Sequence, residues 1–224
     1  MLGIWPSSLS LETWCPPTPP SFSFSNVEVL KWSTPLCFSF PGLGDPTCLP
    51  KLNALEYNAE GVSKLLLTTR PIQRLQVADI HHHDRRQLSI ALQSSPGHLT
   101  HIIFKGFNGS KGIIKATPLL FVRLQHVGSI PWFSRQRDAI AFIDSHLSVL
   151  KLLPHLTSLD ALAGPDGNQW TNAVLVHLNK LHHKLRKVLV HGPRCFVWKR
   201  QGEIWEKREV SRFTSWDIIR GACD

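Results

Sequence analysis

The sequence predicts an α+β fold: a small single domain of two amphipathic helices and a few short antiparallel strands, behind a proline-rich, poorly ordered N-terminal tail. Three observations predict it. Nine of the sixteen prolines fall in the first fifty residues, where proline fixes φ and removes a backbone donor. Two later stretches carry apolar residues at helical spacing. Two others are rich in β-branched and aromatic residues around turn signals. The expected division is 1–70, a largely irregular Pro/Ser-rich tail, and 71–224, a basic α+β domain.

In the tail, Pro16, Pro17, Pro19 and Pro20 force a locally extended, polyproline-like run. No lysine or arginine flanks it closely, so a spacer is expected rather than a ligand motif. The run Val27 to Trp32 is expected to form a short strand. After Pro71, the stretch Ile72 to Gln93 has a weak helical period. The stretch Leu99 to Val127 reads as β-rich, with Asn108-Gly109 as a reverse turn and Pro118 as an interruption.

Ser134 is placed to cap a helix over about 135–153, whose buried side holds Ala139, Ile140, Phe142, Ile143, Leu147 and Leu150. Ile143, Leu147, Leu150 and Leu152 also match a leucine-rich export signal, but that spacing is what a buried face needs. A second helix is expected over about 170–190, from Val174, Leu175, Leu178, Leu181, Leu185, Val188 and Leu189, with Gly192-Pro193 as its stop. From Cys195 to Val210 a hairpin turning at Gln201-Gly202 is expected, with Trp198 opposite Trp205 and Arg200 opposite Glu203. No internal repeat is visible on this reading.

Charge is uneven. The chain carries +9, yet residues 1–60 hold Lys31 and Lys51 against five carboxylates, and residues 175–212 alone contribute +7. Such a field attracts nucleic acid or an acidic protein. Five cysteines without a CxxC pair argue against a disulfide scaffold. With no evident secretory leader and no long apolar run, a cytoplasmic or nuclear location and no membrane partner are expected. Eight tryptophans stand against one tyrosine, an imbalance that packing does not demand. A young or overprinted reading frame, viral accessory or orphan, would produce it, because tyrosine codons share their first two bases with two of the stop codons.

The chemistry-bearing patterns are sparse. His177, His182, His183 and His191 do not share one helix ridge, and neighbouring His81, His82 and His83 point apart, so no metal site is expected. Lys105 to Gly112 misses the spacing of a phosphate-binding Walker loop. Gly106-Phe107-Asn108-Gly109 is similar to the GxxG loop of the KH family, a resemblance that implies clamping of a single-stranded backbone. Ile113 and Ile114 fall out of that family's register, which leaves a glycine-rich hairpin turn. No GxSxG elbow or HExxH helix is present, so no catalytic residue and no cofactor is expected.

The basic aromatic C-terminal region remains. Lys180, Lys184, Arg186, Lys187, Arg194, Lys199 and Arg200 could hold phosphates while Trp198 and Trp205 stack on bases. The expectation is a non-catalytic regulatory protein binding nucleic acid, RNA more than DNA. The alternative is a protein-interaction adaptor whose amphipathic helices bind an acidic or host regulatory protein.

Overall fold

The computed structural model describes residues 8–11, 26–32, 45, 47–58, 61–78, 84–105, 107–131, 133, 135–164 and 170–223. Among them ten strands form one sheet whose spatial order is the order in the chain. The strands are β1 (Ser8–Leu11), β2 (Val29–Trp32), β3 (Ala54–Tyr57), β4 (Arg74–Val77), β5 (His101–Phe104), β6 (His126–Ile130), β7 (Ser158–Leu162), β8 (Lys187–His191), β9 (Cys195–Gln201) and β10 (Ile204–Val210). Every pair from β1 to β8 is parallel; only β8–β9 and β9–β10 are antiparallel. This overturns the expected small α+β fold of two helices and a few antiparallel strands. The chain is a large-sheet α/β structure.

Among the described residues six helices accompany the sheet: α1 (Gly61–Thr69), α2 (Asp84–Ser94), α3 (Phe107–Ala116), α4 (Gln136–His146), α5 (Asn172–Leu181) and α6 (Ser215–Ile219). The expected tail boundary at residue 70 falls between α1 and β4, inside this sheet. Prolines 16 to 20 lie outside the described residues.

A repeating unit underlies the parallel part. Val27, Leu52, Ile72, Leu99, Leu124, Leu156 and Leu185 each precede by three residues a strand residue facing the helices: Leu30, Leu55, Leu75, Ile102, Val127, Leu159 and Val188. All fourteen are at most 5% exposed. The backbone repeats with them. The carbonyls of Glu28, Asn53, Gln73, Thr100, Gln125 and Thr157 each accept two successive N–H groups from the next unit, such as Thr157 O from Arg186 and Lys187. A unit that cannot bury its apolar side alone must stack on a neighbour, which is the logic of a solenoid.

The main core lies between α1–α5 and one side of the sheet, with Leu66, Leu88, Ile114, Ile143 and Leu175 packed over the strands. Tyr57 sits in it, fully buried, with its hydroxyl lacking a partner. Burial, and then the charge of Asp84, push its phenol up to about 12. A raised pKa means the protonated phenol stabilises the fold fully below about pH 10 and loses that contribution as pH rises through about 12. The chain has one tyrosine, so phenolate absorbance reports it alone. It should stay flat through pH 10 and rise only towards about 12 or on unfolding; half-ionisation at pH 10 in the folded chain would contradict the burial.

Several local expectations change. The helix expected over 170–190 stops at Leu181, and Val188 and Leu189 lie on β8. Asn108-Gly109 lies within α3 rather than at a hairpin turn. The helix over 135–153 divides into α4 and a 3₁₀ stretch, Leu147–Leu152; Ile143, Leu147 and Leu150 are fully buried, so three positions of the export-like pattern face the interior. The hairpin forms, with Gly202 at φ +62° in its turn, but Trp205 pairs with Arg200 and Trp198 with Lys207. A positive φ suits glycine and places the turn one residue later than expected.

Candidate binding site on the inner face of the sheet

Side chains alternate along a strand, so each strand sends every second residue to the face opposite α1–α5. Solenoid geometry makes that the inner face. In-register pairing aligns one row across the strand starts: Ala54, Arg74, His101, His126, Ser158, Lys187, Lys199 and Glu206. One step along lie Glu56, Gln76, Ile103 and Gly128 on β3–β6, then Asp160, Leu189, Val197 and Arg208 on β7–β10.

Asp160 is fully buried there. His191 Nε2 meets its Oδ2 at 2.8 Å and His126 Nε2 approaches Oδ1 at 3.5 Å. The Ser129 and Ser215 hydroxyls donate to Oδ2, each at 3.4 Å. Burial alone would raise the carboxyl; the His126 and His191 rings outweigh it and hold Asp160 below its usual range. Gly128 makes room for the cluster, because a Cβ there would run into the Asp160 carboxylate. Gly128→Ala should therefore push the carboxylate off its partners and cost about 2 kcal/mol, in the range of overpacked interiors. A urea-midpoint measurement checks it, and an unchanged midpoint would show that the carboxylate is not clamped.

Ser215 Oγ lies 3.3 Å from His191 Nε2, the nitrogen that also meets Asp160. A nucleophile relay needs the serine and the carboxylate on opposite ring nitrogens. The geometry is that of a polar clamp joining β7, β8 and the start of α6.

That clamp is one attachment of the C-terminal segment to the inner face. Thr214 and Asp217 form a reciprocal capping box on α6, and Arg220 closes on Asp217 at 2.7 Å. Phe213, Ile218 and Ile219 join Val29, Ala54, Ile103, Leu189 and Cys195 in a second apolar cluster, separate from the main core. At the strand-start edge, Arg74 Nη1 donates to Ile218 O at 3.0 Å and Lys187 Nζ to Cys223 O at 2.6 Å.

The residues expected to bind nucleic acid divide among several places. Lys184, Arg186 and Lys187 line a groove of about 770 Å³ with Arg74, His101, Gln125, Thr157 and Ser158; Lys184 Nζ also donates to Pro154 O at 2.8 Å. Lys199 is exposed on the inner row. Lys180 is exposed on α5, and Arg200 turns to the same side, donating to Asn179 Oδ1 and to His183 O at 2.8 Å. Arg194 is exposed in the β8–β9 connection, at the far end of β8. Trp198 and Trp205 are 8% and 4% exposed, within the main core, so neither indole offers a face to a base.

The histidines separate as well. His177 pairs with Asp144 at 2.7 Å. His182 is buried on Leu153 O, and burial lowers its pKa. Among the described residues no group of three donors is placed to hold a metal; His81, His82 and His83 lie outside them. Sequence reading passed over Asp160, His126, Ser215 and Arg74. The one signal was Asp160 itself, an acid inside the apolar run Leu159-Asp160-Ala161-Leu162.

Fold and site together define a short α/β solenoid whose inner face carries a buried acid–histidine clamp and the chain's own C-terminal segment. No family model, curated protein or solved structure matches the chain.

Proposed function

We propose that this chain is a non-catalytic adaptor that binds an acidic partner protein on the inner face of its sheet. One observation carries the reading: that face already receives a short amphipathic segment of protein, seated on an apolar patch and held at its edge by Arg74 and Lys187. Solenoids use extended inner surfaces of this kind for recognition, and the net charge of +9 favours acidic partners for the chain as a whole. The burial of Trp198 and Trp205 removes two of the stacking partners that single-strand binders employ.

Nucleic acid, RNA above DNA, is the second reading. It is favoured by the groove of Arg74, Lys184, Arg186 and Lys187, whose lining includes no carboxylate among the described residues. Capture on the immobilised chain from nuclease-treated and untreated lysate separates the two, with elution in a salt series. The adaptor reading expects capture to survive nuclease with a shallow salt dependence. Capture abolished by nuclease, with a steep log–log salt slope, would replace it with the polyanion reading.

A further inference from the structure

We propose that the inner face is a docking groove for a short amphipathic helical segment of the partner, and that Phe213–Ile219 occupies that groove in cis. The inference rests on the adaptor reading and names the chemistry of what binds: a helix start with a hydroxyl-and-acid cap, preceded by an aromatic residue and followed by two adjacent branched aliphatics.

Three observations lead there. The sheet carries Val29, Ala54, Ile103 and Leu189 on the face opposite the main helices, and the segment covers them through a cluster distinct from the main core. A face of this kind left bare would be an exposed apolar patch, which marks an interaction surface. Secondly, α6 has five residues, far below the length at which a helix persists alone, so its form is templated by the face it lies on. Thirdly, its anchors are the kind a peptide in trans can reproduce. Two are backbone carbonyls, of Ile218 and, just past the segment, of Cys223, held by Arg74 and Lys187; one is the Ser215 hydroxyl on Asp160. Ser211 and Arg212, which connect β10 to the segment, are exposed. A segment held in cis competes with any incoming one, so the apparent affinity for a partner is the intrinsic one multiplied by the fraction of time the face is open.

The test uses the full chain and a fluorescent peptide carrying the sequence of residues 211–224. In one chain Ile218→Asp and Ile219→Asp loosen the resident segment while leaving the sheet unchanged. Anisotropy should show the peptide binding this variant about ten-fold or more tighter than the unaltered chain, and a peptide carrying the same two aspartates binding neither. If the aspartates unfold the chain, as read by circular dichroism, the milder pair Ile218→Ala and Ile219→Ala makes the same comparison. Equal or absent binding to folded variant and unaltered chain overturns the proposal, as does loss of folding in both variants, which would make the segment an obligatory part of the core. If peptide docking fails while nuclease-resistant capture persists, the adaptor reading stands and its partner uses another surface. If docking holds while capture depends on nucleic acid, only the adaptor reading falls.

Discussion

Asp160→Asn should lower the thermal midpoint by roughly 10 °C, since removing one partner from a buried charge cluster costs about 3–5 kcal/mol and a chain of this size loses about 2–4 °C per kcal/mol. The amide keeps the shape but removes the charge that His126 and His191 face. The pH dependence follows from the lowered pKa. Because the folded carboxyl titrates below its unfolded value, its contribution is complete above the ordinary carboxylate range and is lost as pH falls through the folded pKa. Scanning calorimetry from pH 6 downwards should show that acid-dependent loss in the unaltered chain and a smaller one in the variant. Asp144→Asn is the control: its carboxylate is 62% exposed on His177, and such pairs contribute less than about 1 kcal/mol. Equal effects at the two positions would mean that the inner-face cluster carries no special weight.

Leu159→Ala should be of similar size. Leu159 is fully buried on β7, with a parallel strand on each side, and truncations of this kind cost about 2–5 kcal/mol. Each unit is stabilised by its neighbours, so the loss should be felt on both flanking strands, with faster amide exchange in β6 and β8. Leu119→Ala makes the same chemical change at a position 86% exposed and should shift stability by less than about 0.5 kcal/mol. Matching losses at 119 and 159 would rule out the packing described.

Much of the local structure was legible while the architecture was not. The strand within Val27 to Trp32 and the helix beginning near Arg135 follow their apolar spacing, although Arg135 makes no side-chain cap and Ser134 lies outside the described residues; the turn at Gly202 falls one residue later than expected. The solenoid was hidden by its own repeat. An apolar residue followed three later by another, as at Leu156 and Leu159 or Leu185 and Val188, satisfies helical spacing as well as a turn running into a strand. That coincidence extended the predicted α5 through Val188 and Leu189. The strand residues Leu30, Leu55, Leu75, Ile102, Val127, Leu159 and Val188 recur at intervals from 20 to 32 residues, too uneven for a fixed-period search. The positive stretch after residue 175 was plain, but only the topology separates Arg194 from Lys187 and turns Trp198 inward. The clamp depended on topology even more: Asp160, His126, His191 and Ser215 span ninety residues of sequence and meet because β6, β7 and β8 are neighbours and the C-terminus returns across them.

The most direct test of this account is a methyl nuclear Overhauser measurement on isoleucine-, leucine- and valine-labelled full chain. Ile218 and Ile219 should show contacts to strand methyls of the inner-face cluster, first of all Ile103 on β5, beside which α6 lies. Random-coil methyl shifts for Ile218 and Ile219, with no cross-peaks to those strand residues, would contradict it.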